Sequence, residues 1–172
     1  MTVFFLNYKK IVGPEVTFDA CVLDFEAAVW QSLRNAFPDI QLHGCLFHFN
    51  QAIHRKVQEL GLQAEYRKNG AVAELIKQLY SLPFLPPRLM GTEFSNLKSK
   101  ALLFDDARLS KVFAYAEKTW MKSTVWKLKN ISAYQRLIRT NNDTEGYHYR
   151  LNKKCGDHPP FYKLVGILHS EA

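Results

Sequence analysis

The chain has 172 residues, 47% hydrophobic and 23% charged, which is the composition of one globular domain or a piece of a larger one and excludes a disordered chain. Its formal net charge of +7 suits a polyanionic partner and equally an ordinary basic surface. The three cysteines, Cys21, Cys45 and Cys155, are too few and odd in number for a secreted disulfide framework, no apolar run approaches the roughly 20 residues of a membrane span, and MTVFFLNYKK lacks the layout of a signal peptide; a reducing compartment and no membrane partner are expected.

Residues 1–12 form a short apolar and basic segment, which Gly13-Pro14 interrupts. The short, β-branched run from Val16 to Leu23 predicts a buried strand over about 16–23, with Asp24 at its C-terminal end. Phe25, Ala28, Val29, Leu33 and Ala36 fall at helical spacing, and Pro38-Asp39 ends that helix. Residues 40–43 predict a second short strand. Strand, helix and strand with short connections make a βαβ unit, so the two strands should be parallel. From Cys45 the pattern turns helical. Leu46, Phe49, Ile53, Val57 and Leu60 form one stripe, which Gly61 stops. Helices are expected over 71–80 and 109–121, with the Pro-rich stretch 83–87 as a bend between them. After a basic linker, residues 141–155 predict another helix, closed by His158-Pro159-Pro160 and followed by a short terminal helix. The fold class is therefore α/β and helix-dominated. Its two short parallel strands either join a sheet with further members or form a minor sheet in a mostly α fold.

Charge is uneven along the chain. Residues 1–62 carry five basic and six acidic groups, whereas residues 122–163 carry nine and three. Trp126, Tyr134, Tyr147 and Tyr149 are interleaved with that basic stretch, which includes Lys127, Lys129, Arg136, Arg139, Arg150, Lys153 and Lys154. Cations among aromatics suit a nucleic-acid backbone.

Three groups of residues could carry chemistry. Asp24, at the end of a parallel strand, stands where α/β proteins place ligands, and it could equally cap the following helix. Asn141, Glu145, His148 and Asn152 share one face of a predicted helix, a solvated face or a ligand face. Cys45/His48 and Cys155/His158 are C-x-x-H pairs that together could hold tetrahedral Zn²⁺, with His54 as a spare ligand; buried cysteines as small hydrophobes are the alternative.

Together these residues resemble a family, the MULE (Mutator-like element) transposases of eukaryotic DNA transposons. The matching segments are VLDFEAAVWQSLRNAFP (22–38), HGCLFHFNQAIHRKVQELGL (43–62), LPFLPP (82–87) and RTNNDTEGYHYRLN (139–152), followed by His158-Pro159. The resemblance covers roughly residues 14–170 and implies a catalytic domain of RNase H-like fold. Residues 14–44 would be its βαβ part, 45–138 a helical insertion, and 139–172 the catalytic-helix region. It also implies three carboxylates holding Mg²⁺ or Mn²⁺, of which Asp24 matches the second aspartate and Glu145 the glutamate. Cys45, His48, Asn141, Asn142 and His148 match family motif positions. Double-stranded DNA as partner and a nuclear location follow from the same resemblance.

The family's first catalytic aspartate is expected before residue 1, so this reading makes the chain an N-terminally truncated domain, inactive alone and prone to self-association through an exposed sheet edge. The alternatives are a non-enzymatic DNA-binding module domesticated from a transposase and a helical interaction protein stabilised by Zn²⁺.

Overall fold

The computed structural model describes residues 19–156 and 159–171. They fall into two compact units that meet in sequence between Thr140 and Asn141.

The first unit opens on strand β1 (Ala20–Leu23), helix α1 (Ala27–Ala36) and strand β2 (Gln41–Gly44). The strands pair in parallel, with Ala20 opposite Gln41 and Leu23 opposite Gly44. Pairing extends one residue beyond each end, since Gln41 N–H donates to Asp19 (3.0 Å) and Cys45 N–H to Leu23 (2.8 Å). The βαβ expectation holds, with shifted boundaries. Residues 16–18 of the expected first strand lie outside the described residues. The second strand starts one residue late because Ile40 N–H is taken by the turn carbonyl of Phe37 at 3.2 Å. Gly44 is needed for close approach: a Cβ there would overlap the Phe25 ring, which crosses the strand end.

Helix α2 (Leu46–Glu59) buries Phe49, Ile53 and Val57. It ends as the sequence requires, with Gly61 at φ 70°. Gly61 N–H donates to Gln58 (2.9 Å) and Leu62 N–H to Val57 (3.0 Å), the paired bonds of a Schellman stop, and Leu62 is fully buried beneath them. Helices α3 (Gln63–Arg67) and α4 (Ala71–Ser81) follow. The Pro-rich stretch is a 3₁₀ turn (Leu82–Phe84) that leads directly into α5 (Pro87–Ala101), with a proline in its first turn. The expected helix over 109–121 is α6 (Ala107–Ala116), opened by an Asp106 cap, then a π turn (Glu117–Met121). A short helix, α7 (Leu128–Ile131), lies against β2.

Two apolar clusters fill this unit. The smaller gathers Trp30, Leu33, Ala36, Phe37 and Leu42 around the strands, and the larger joins α2, α4, α5 and α6. Phe25 and Trp126 touch both. Phe25 sits 4.6 Å from Trp120 and 5.4 Å from Trp126, edge to face in each case. The strands and the helices after Cys45 therefore share one aromatic seam. The second unit consists, among the described residues, of α8 (Asn142–Cys155) and α9 (Phe161–Glu171). Among the described residues no helix is long and apolar enough to cross a membrane.

Candidate metal centre and basic groove

Parallel pairing brings Leu23 and Gly44 side by side, so the next residues, Asp24 and Cys45, emerge at the same end of the sheet. Cys45 is the N-cap residue of α2, and His48 lies three positions on, in the first turn. That spacing turns both side chains of the C-x-x-H pair toward the strand ends. One donor atom from each of Asp24, Cys45 and His48 lies within 4.8 Å of the other two. His48 Nδ1 is 2.9 Å from Asp24 Oδ1, with side chains 24% and 42% exposed. Cys45 is fully buried.

The backbone beneath these donors is held from several directions. Trp30 Nε1–H donates to the Asp24 carbonyl at 2.7 Å. Leu46 N–H, the first of α2, donates to the Arg139 carbonyl at 2.9 Å. Asp24 is not the helix cap: Glu26 holds that position, without a side-chain capping bond. The Asp24 carboxylate meets His48. In the first unit Cys45 and His48 lie together with Asp24. Cys155 belongs to the second unit, and His158 lies outside the described residues. The spare ligand His54 is elsewhere, with Nδ1 3.1 Å from the Tyr80 hydroxyl.

Beside Asp24 an open groove is lined by Glu26, His48, Arg55, Tyr115 and Trp126. A second groove, of about 750 Å³, runs along β2 and gathers Arg34, His43, Lys127, Lys129 and Arg136 around Asp39. Three of these cations come from the basic stretch noted in the sequence. Arg34 and His43 come from α1 and β2, and sequence spacing gave no sign of them. Asn130 builds this groove: Nδ2–H donates to the Leu42 carbonyl (2.8 Å) and Oδ1 accepts from Lys127 N–H (3.1 Å). Arg136 donates to the Lys129 carbonyl at 2.6 Å, and partial burial lowers its pKa. Burial, and then the Arg136 charge, hold the His43 imidazole below its ordinary pKa. Arg139 Nε–H donates to the Arg136 carbonyl at 3.0 Å, and its guanidinium lies 5.4 Å from the Phe84 ring centre.

In the second unit Asn141 precedes α8, and its carbonyl accepts Glu145 N–H at 3.0 Å. Asn142, Glu145, Arg150, Lys153 and Lys154 are exposed on α8. The side chain of His148 lies outside the described residues. The structure thus divides the expected site residues, with Asp24, Cys45 and His48 together in the first unit and Glu145 in the second.

No family model matches this chain, and comparison with curated proteins and with solved structures finds no match either.

Proposed function

We propose that the chain is part of the catalytic domain of a MULE-type DNA transposase of RNase H-like fold, acting on double-stranded DNA in the nucleus. The observation that carries this reading is the place of Asp24: a half-exposed carboxylate at the C-terminal end of one parallel strand, beside the end of the next. Asp24 in the first unit and Glu145 in the second are each a hard oxygen donor of the kind that Mg²⁺ or Mn²⁺ takes. A divalent ion held by such carboxylates would supply polarisation of phosphate oxygens and activation of a water or a 3′-hydroxyl for in-line displacement.

The chain's own residues position the reaction. His48 holds one oxygen of Asp24. The Trp30 indole fixes the backbone under that carboxylate. Lys127, Lys129 and Arg136 bind DNA phosphates along β2, and Arg139, Arg150, Lys153 and Lys154 add to the cationic surface.

A second reading, a non-enzymatic DNA-binding module, has its own support: the basic groove is built wholly within the first unit and does not include Asp24. The two readings separate on whether divalent metal and duplex DNA bind interdependently. Interdependence lost on Asp24→Asn and Glu145→Gln supports the transposase reading. Metal-indifferent DNA binding leaves the binding module, and no DNA binding at low salt removes both.

A further inference from the structure

We propose that Asp24, Cys45 and His48 form a three-ligand site for a thiophilic transition-metal ion, Zn²⁺, with a fourth position open to the groove beside Asp24. The site shares Asp24 with the proposed catalytic pair, but it stands on the geometry of the first unit and holds whether or not DNA is the substrate.

The donor set decides the metal. One sulfur, one imidazole nitrogen and one carboxylate oxygen are a mixed, borderline-soft set. Mg²⁺ asks for an octahedron of oxygens and gains nothing from Cys45 or His48. Zn²⁺ accepts all three donors, and three protein ligands with one open position is its arrangement in reactive centres.

The distances are close to those a bound ion needs. With metal–ligand bonds of about 2.0–2.3 Å, tetrahedral donors stand roughly 3.3–3.8 Å apart. Here the three donor atoms all lie within 4.8 Å of one another, and His48 Nδ1 stands 2.9 Å from Asp24 Oδ1.

The mounting is rigid. Cys45 N–H is tied to Leu23 and Leu46 N–H to Arg139, while the Asp24 carbonyl is tied to Trp30. The sulfur sits on the buried side, with Cys45 fully enclosed. Asp24 sits on the open side, facing a groove that admits a water as fourth ligand. Binding displaces the Cys45 thiol proton to solvent and takes His48 as neutral imidazole, so one proton is released from Cys45 for each Zn²⁺ bound when His48 starts neutral.

The test is a titration of the metal-stripped full chain with Zn²⁺, and with Co²⁺ as its spectroscopic substitute. The expected result is one equivalent per chain. Co²⁺ gives a thiolate-to-cobalt charge-transfer band and intense four-coordinate visible bands, displaced by Zn²⁺ and not by excess Mg²⁺. Cys45→Ser removes the charge-transfer band. His48→Gln and Asp24→Asn each weaken binding by about tenfold or more. Cys21→Ser and Cys155→Ser leave the spectrum unchanged.

Absence of the band in the wild-type chain overturns the proposal, as does a band that survives Cys45→Ser. Zn²⁺ affinity indifferent to Asp24→Asn overturns the ligand set, as does a band lost with Cys155→Ser. Circular dichroism of each metal-free variant, with Cys45→Ala as a second replacement, separates lost ligation from lost fold. DNA binding measured on the same samples keeps failure of this site distinct from failure of the transposase reading.

Discussion

Asn130 is the residue on which the basic groove hangs, and its replacement gives a worked prediction. Asn130 is 8% exposed, and its side chain makes two hydrogen bonds, one that joins α7 to β2 at the Leu42 carbonyl and one from Lys127 N–H at the start of α7. Asn130→Ala removes both. The bond from Lys127 N–H contributes about 0.5–1.5 kcal/mol net, and the buried Leu42 carbonyl left without its donor costs about 1–3 kcal/mol. A loss of about 2–4 kcal/mol follows. Asn130→Asp keeps the acceptor for Lys127 N–H but faces a carboxylate oxygen toward the Leu42 carbonyl, so it costs at least as much. Urea unfolding followed by tryptophan fluorescence reads this cleanly, because all three tryptophans, Trp30, Trp120 and Trp126, lie in the first unit. With a slope of about 1–3 kcal/mol per molar urea, the midpoint should fall by on the order of 1–2 M at unchanged slope. A loss below about 0.5 kcal/mol for Asn130→Ala, the range of an ordinary surface change, would refute the role given to this side chain.

Two further outcomes follow from the groove. His43 is held below its ordinary pKa of about 6.5 by burial and by Arg136. The unfolded chain therefore takes up a proton that the folded chain refuses, and stability falls as pH drops from about 6.5 to the folded value. Unfolding measured from about pH 7 to 5 should be flatter in His43→Gln than in wild type, and equal slopes would show that His43 contributes nothing. The double change Lys127→Ala and Lys129→Ala should weaken duplex-DNA binding at low salt and lessen the slope of log affinity against log salt by roughly two; anisotropy titrations with an unchanged slope would place the DNA elsewhere.

The strands were legible because short β-branched runs around a helical stripe leave few arrangements, and the right-handed parallel crossover then puts Asp24 and Cys45 at one end. The C-x-x-H spacing was equally plain, but its meaning needed the register. Only when Leu23 stands opposite Gly44 does Asp24 become the third member of the cluster, twenty-odd residues away in sequence. Helix α5 shows a signal that was present and unused: Met90, Phe94, Leu97 and Ala101 are its buried residues and lie at helical spacing. The prolines before them read as a bend, although a proline in the first turn starts a helix as readily as it ends one. Trp126 stands among cations and reads as part of a surface for a nucleic-acid backbone, yet its ring meets Phe25 and Trp30 in the seam between the two cores. Charge density along a sequence does not distinguish an aromatic that faces solvent from one that faces the core. Arg34 and His43 were hidden for the opposite reason, since the groove they line forms only when α7 closes on β2.

The transposase reading is tested most directly by the affinity of the chain for labelled duplex DNA, measured at one salt concentration with and without Mn²⁺, in wild type, Asp24→Asn and Glu145→Gln. The account predicts that Mn²⁺ tightens wild-type binding by about tenfold, within the usual range of coupling between two ligands. Each variant should bind DNA as wild type does without the ion and lose the gain when Mn²⁺ is added. Equal wild-type affinity with and without Mn²⁺, or a full gain retained in Asp24→Asn, would contradict it.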